Sequence, residues 1–178
     1  RAFIEFCNRV PFYGYSILCW DDPATRDLIP EIENVCLTYG LEEGANLRGA
    51  DVTLHAPDSE RPHVAQINAL RTRFAVYSHD ARLRVTGKLG QLDINAVGLH
   101  NVRNALAACA VGLALGMPFA LLADGLRQFD GVRRRLQVAG TAGGVTVIED
   151  YAHHPTEIAA TLDAVRMAQP GRLIAVLQ

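Results

Sequence analysis

Apolar positions in the first forty residues come in short blocks whose period changes from one block to the next. Phe3, Phe6, Cys7 and Val10 recur at helical spacing, which predicts a helix over 2–10 with those four on its inner face, stopped by Pro11. Ser16 to Trp20 is a short continuous apolar run and predicts a buried strand. Asp21 or Asp22 can cap the helix that follows, with Pro23 in its first turn and Leu28 and Ile29 further along before Pro30. Val35 to Thr38 predicts a second strand. Helix, strand, helix, strand is the pattern of a parallel α/β sheet.

The character changes between residues 46 and 96. Val52-Thr53-Leu54, Phe74 to Tyr77, Leu83-Arg84-Val85 and Leu92-Asp93-Ile94 are candidate strands, with turn signals at Ala56-Pro57-Asp58 and Ser78-His79-Asp80. This stretch predicts an antiparallel sheet attached to the α/β core, with the polar residues 57–62 as an exposed loop. An alanine-rich helix is expected over 101–115, with Leu106, Cys109 and Leu113 on one face, ended by Gly116 and Pro118. A second follows over 120–128. Val145 to Ile148 then predicts a strand, Pro155 to Met167 a helix with Ile158, Leu162 and Val165 inward, and Leu173 to Leu177 another strand. This last β-α-β pattern reads as the start of a new α/β domain. The expected division is 1–132 and 133–178.

Composition narrows the function classes. A chain of 178 residues suffices for one domain, or one domain and part of another. A hydrophobic fraction of 49% is ordinary for a globular protein, and a formal net charge of −2 gives no broad footprint for nucleic acid. No apolar run approaches the roughly 20 residues that a membrane helix needs, and no signal peptide is visible, so a cytoplasmic protein without a membrane partner is expected. Cys7, Cys19, Cys36 and Cys109 form no C-x-x-C pair and are expected as buried free thiols. The chain opens abruptly at Arg1 and ends inside an apolar run, so an internal piece of a longer protein is expected.

Three constellations could carry chemistry. In Gly98-Leu99-His100-Asn101-Val102-Arg103-Asn104, two amides sit one turn apart at a helix start. A side-chain amide both donates and accepts, so it can read the edge of a purine; the alternative is a capping Asn101 and a solvated Asn104. Arg133-Arg134-Arg135 is either a solvated edge or a planar donor set for ribose, phosphate or carboxylate. Glu149-Asp150-Tyr151-Ala152-His153-His154-Pro155-Thr156-Glu157 joins a strand end to a helix start, where open α/β sheets bind ligands and a helix dipole favours phosphate. The plainer reading of that loop is a helix cap made by His154 and Thr156. A helix-borne zinc site is disfavoured, because His-x-x-x-His spacing is absent.

Taken in this order, His100-Asn101-Val102-Arg103-Asn104, Arg134-Arg135 and Asp150-Tyr151-Ala152-His153 resemble the Mur ligase family. His-His-Pro-Thr-Glu is similar to the members acting on UDP-N-acetylmuramate. Phe3-Ile4-Glu5-Phe6, Pro11-Phe12-Tyr13-Gly14 and Asp21-Asp22-Pro23 are similar to those that add L-alanine. The resemblance implies an α/β fold: the C-terminal part of a central ATPase domain, with a parallel sheet and a small antiparallel sheet, then the start of a Rossmann-like domain. It implies ATP and Mg2+, with metal ligands outside these residues, and UDP-N-acetylmuramate and L-alanine as substrates of a bacterial cytoplasmic enzyme. ATP would phosphorylate the lactyl carboxylate, and the amine of L-alanine would attack the acyl phosphate.

By the same resemblance Asn104 would hydrogen-bond adenine, with His100 and Asn101 shaping that corner. Arg135 and Asp150 would hold the ribose, with Arg134 beside them, and His153 and His154 would form the catalytic pair near the phosphates or the incoming amino acid. Departures from the family pattern are Val97 where proline is usual, Glu149 where aspartate is common, and the absence of a Gly-x-x-x-x-Gly-Lys-[Ser/Thr] phosphate loop. A ligase that recycles tripeptide onto UDP-N-acetylmuramate, a folylpolyglutamate synthase, and a non-catalytic module that has lost the phosphate loop remain as alternatives.

Overall fold

A computed structural model describes residues 1–56, 70–168 and 171–177. Its main sheet has five strands in sequential order: β1 (Ser16–Cys19), β2 (Cys36–Gly40), β3 (Leu47–His55), β4 (Arg71–Ser78) and β5 (Gly87–Ile94). β1, β2 and β3 pair in parallel, and β4 runs antiparallel to both β3 and β5. Four strands therefore point one way and only β4 is reversed. The expected antiparallel segment is not a separate layer: β3 belongs to both patterns and makes the sheet continuous.

The local chemistry explains most element ends. Asp22 caps α2 (Pro23–Leu28), accepting from the amides of Ala24 at 3.2 Å and Thr25 at 3.3 Å, with Pro23 in the first turn. The long helix α3 (Leu99–Ala114) closes with Gly116 at φ +83°. The Gly116 amide donates to the Leu113 carbonyl and that of Met117 to the Gly112 carbonyl, both at 2.9 Å, so two terminal carbonyls are satisfied. Pro118 then opens α4 (Phe119–Gln128). Leu37, Phe74, Val76, Leu92, Val102, Leu106 and Cys109 form the main core between the sheet and α3. Cys109 is fully buried, and desolvation pushes its thiol up to about 12, while all four cysteines are free.

Several expectations fail for identifiable reasons. Leu83-Arg84-Val85 is not a strand. Asp80 accepts from the Arg82 amide at 2.9 Å and starts a 3-10 turn over Ala81–Leu83, after which Arg84 is left-handed at φ +65°. Leu83 still anchors in the core. The first helix, α1 (Ala2–Asn8), buries only Cys7, which meets Leu18 and Ile32, whereas Phe6 is 71% exposed. A helix this short brings only one side of itself to the core. A strand over Gln137–Ala142 (β6) was not expected, because its residues are mostly exposed and it has no apolar alternation. It pairs with β7 (Val145–Glu149) as a two-stranded antiparallel sheet. The signal that could have revealed it is the Gly143-Gly144 turn, with φ +55° and +78°, since a two-residue hairpin needs positive φ. The residues Leu173–Leu177 have no strand partner and are exposed, because a buried-type strand requires neighbours to satisfy its backbone. Pro57, Asp58 and the rest of the expected 57–62 loop lie outside the described residues. The last helix, α5 (Pro155–Ala168), buries Ala164 and Val165, with Ile158 and Leu162 half-buried.

One buried carboxylate ties the strand ends together. The Asp21 side chain is 3% exposed and accepts from the Leu41 amide at 2.8 Å, the Glu42 amide at 3.0 Å and Arg103 Nε at 2.6 Å. Burial alone would raise its pKa, but these donors together outweigh it and hold the carboxyl below its ordinary 3.8. Asp21→Ala strands two backbone donors and is expected to cost about 2–4 kcal/mol of stability in urea unfolding. Because the folded-state pKa is lowered, the wild-type contribution is present above about pH 4 and lost as pH falls through the lowered value. Acid unfolding of the wild type and of the variant should therefore converge at low pH.

Candidate functional site

The site is built from the β5–α3 junction and the segment that joins α4 to β6. After β5 ends at Ile94, the chain turns through Asn95, Ala96, Val97 and Gly98 into α3. This junction lies at the carboxyl ends of the four like-directed strands, where open α/β sheets leave a crevice. Gly98 is required there. Its φ is +98°, and an added Cβ would stand 2.7 Å from the Ala164 Cβ and 2.8 Å from His100 Cε1. The absence of a side chain lets the start of α3 sit directly against α5. Val97, Ala164, Val165 and Leu70 form a small cluster at that contact.

Beside it opens a cleft of about 910 Å³. Ile94, Val97, Ala105, Ala108, Leu126 and Phe129 supply its apolar walls. Asn104 lines it, is exposed, and makes no hydrogen bond to any described residue, so both halves of its amide face solvent. Asn101 also lines the cleft, but its Nδ2 donates to the Val97 carbonyl at 2.8 Å. That bond ties the first turn of α3 back to the segment before it, although the N-cap of the helix is Gly98 and not Asn101, and no side chain caps it. Arg135 reaches the cleft, with its nearest carboxylate, Glu157, at 3.9 Å. Arg71 and Arg133 line it as well. Sequence reasoning missed Arg71, since an arginine opening a strand carries no motif.

The remaining predicted residues do not line the cleft. His100 is half-buried behind it, and desolvation lowers its pKa below 6.5. The positive charges of Arg103 and Arg135 act the same way, and Asp150 opposes them. Its imidazole is neutral at pH 7. Asp150 accepts from the Leu136 amide at 2.8 Å and the Ala152 amide at 2.7 Å, so its two oxygens brace the backbone just before β6 and just after β7. Arg134 turns away: its Nε donates to Glu149 at 3.0 Å, and its guanidinium stacks on Tyr151 at 4.9 Å.

His153 and His154 start α5 and stay outside the cleft. His154 Nδ1 accepts from the Thr156 amide at 3.3 Å, while Glu157 accepts from the amides of His153 and His154. Reciprocal bonding of this kind is a capping box. His153 lies edge-on to Tyr151 at 5.4 Å. Among the described residues no group of three or more His, Cys, Asp or Glu side chains could hold a metal ion. No described helix is long and apolar enough to cross a membrane.

The fold and the cleft define an α/β protein with an arginine-rimmed crevice where its main sheet meets a second, smaller one. The "Mur ligase middle domain" model matches residues 1–112, and the "Mur ligase, glutamate ligase domain" model matches residues 134–178. The chain belongs to the Mur ligase family. It is 42% identical over 178 residues to the UDP-N-acetylmuramate--L-alanine ligase of Salinibacter ruber, covering 99% of this chain and 34% of that protein. The same ligase of Desulfatibacillum aliphaticivorans is 42% identical over 176 residues, with 99% and 34% covered. Among solved structures, MurF from Acinetobacter baumannii superposes with a TM-score of 0.68 at 23% identity, covering 88% of this chain and 30% of that one. MurC from Thermotoga maritima gives 0.59 at 24%, covering 84% and 29%. The chain spans about a third of the length of the curated relatives it matches.

Gly98→Ala combines a positive φ with a close Cβ contact and is expected to destabilise the chain by about 2–4 kcal/mol, read from its thermal midpoint. His100 supplies a pH test. Its folded-state pKa is below the unfolded 6.5, so protonation favours unfolding, and stability should fall as pH drops below about 6.5. His100→Gln should flatten that part of the stability–pH curve.

Proposed function

We propose that this chain is the adenosine-facing part of an ATP-dependent ligase that joins L-alanine to the lactyl carboxylate of UDP-N-acetylmuramate in peptidoglycan precursor synthesis. The observation that carries the reading is the cleft. Apolar walls with an aromatic ring at Phe129 suit a purine, and a solvent-facing amide at Asn104 suits its polar edge. In this reading Asn104 bonds adenine and Arg135 the ribose. Asn101, His100, Asp150 and Arg134 hold the walls in place without touching the nucleotide. The domain division falls near Val132, so the cleft lies between a central ATP-binding domain and the beginning of a Rossmann-like one.

Alanine as the added amino acid rests on the relatives at 42% identity, whose names specify it. ATP would drive the reaction by phosphorylating the carboxylate. Mg2+ is the expected companion of its phosphates, with ligands outside the described residues, among which no group of three or more His, Cys, Asp or Glu side chains could hold it. His153 and His154 would lie near the incoming substrate in the longer protein; in this chain their bonds are those of a helix start. The setting of such an enzyme is the bacterial cytoplasm.

Asn104→Ala should weaken adenosine binding by about 1–3 kcal/mol in isothermal titration, the value of one buried neutral hydrogen bond. Equal affinity in variant and wild type would count against the adenine assignment. The 178-residue chain, having no phosphate-loop sequence, is expected to release no phosphate from ATP in a coupled assay with UDP-N-acetylmuramate and L-alanine.

A further inference from the structure

Helices α3 and α4 end differently. α3 closes on itself through Gly116, but the residue after α4, Phe129, is extended at φ −78° and ψ 114°, and a positive φ comes only at Gly131. A helix that ends this way leaves its last carbonyls in need of outside partners. Asn95, in the turn just beyond β5, is such a partner. Its Nδ2 stands 3.0 Å from the Arg127 carbonyl oxygen, 3.4 Å from that of Phe129 and 3.3 Å from Asp130 Oδ1. All three are acceptors, so the nitrogen of the amide and not its oxygen must face them, and its two protons are shared among the three. Asn95 and Phe129 both line the cleft. With Phe129 55% exposed, core packing does not fix its ring, and the ring goes where its main chain is held.

We propose that Asn95 is a positioning residue for the cleft: by tying off the end of α4 it fixes the main chain of Phe129, and with it the aromatic wall against which a purine lies. The proposal rests on the adenosine reading for what meets Phe129, whereas the clamp itself stands on the three distances. Asn95 acts through Phe129 and not by touching the ligand. Asp130 is the outer jaw of the clamp, holding the chain where the connection toward β6 leaves α4. Asn95→Asp keeps the size of the side chain but sets an acceptor against three acceptors, one of them a carboxylate, so the clamp is reversed with little change of volume.

The test uses the 178-residue chain and two readouts, amide hydrogen exchange over residues 126–133 and isothermal titration with adenosine. N95D should speed exchange across that segment by about tenfold or more, while the amides of β1 to β3 keep their protection. The same variant should weaken adenosine binding about fivefold, and N95A should weaken it less, since it removes the donor without adding repulsion. Reversing the pair in N95D/D130N should restore part of both, because a donor again faces an acceptor across that contact. In an F129A background N95D should change adenosine affinity little further, since its effect runs through the ring that is gone. Unchanged exchange in N95D would overturn the clamp. Faster exchange with undiminished adenosine affinity, or a full further loss in the F129A background, would make Asn95 a helix cap only and overturn the positioning role. If the wild type binds no adenosine while N95D still speeds exchange, the clamp on Phe129 stands and the adenosine reading is the one that fails.

Discussion

The Asp21 carboxylate is the constraint on which the arrangement depends. It sits just beyond β1, takes the amides of Leu41 and Glu42 just beyond β2, and meets Arg103 on α3. Three segments far apart in sequence are thereby fixed at one end of the sheet. A buried carboxylate is costly unless its oxygens are filled, and here backbone amides and a guanidinium fill them. Arg103 is one residue before Asn104, so the bond that settles α3 over the sheet also settles which face of α3 looks into the cleft. Structural charge and binding amide are adjacent, and the helix keeps them on different faces.

Contact with α5 supplies the second fixed point. Gly98 lets the start of α3 approach Ala164 closely, and the Val97 carbonyl next to it is taken by Asn101. Beyond β7, Asp150 braces Leu136 and Ala152, while Glu157 closes the start of α5. The polar residues of this region thus divide by availability. Asn101, Asp150, Arg134 and Glu157 are bonded within the chain, whereas Asn104, Arg71 and Arg133 line the cleft and make no side-chain hydrogen bond to any described residue. His100 is half-buried, and desolvation lowers its pKa.

The element pattern was legible where local chemistry and core agree. Ser16 to Trp20, Asp22 before Pro23, and the Leu106, Cys109, Leu113 stripe are each set by short-range period or capping, and each stands as expected. The pattern misled where a side chain satisfied the backbone locally, as Asp80 does at Leu83, or where an apolar residue had nothing to pack against, as at Phe6. The hairpin of β6 and β7 was hidden because neither strand buries a continuous face, so alternation had no cause to appear.

From the sequence alone came the family, through the ordered motifs at 98–108, 134–135 and 150–154, and with it the α/β class, because spacing along a chain survives without knowledge of contacts. The tertiary structure decided which motif residues are free to act. Asn104 and Asn101 are the same residue type one turn apart, yet one amide is open and the other is spent on Val97. Arg134 and Arg135 are neighbours, yet one is stacked on Tyr151 and the other faces the cleft. Arg71 joins them from a distant strand. Hydrogen-bond satisfaction is a property of atoms brought together by folding, and no motif records it.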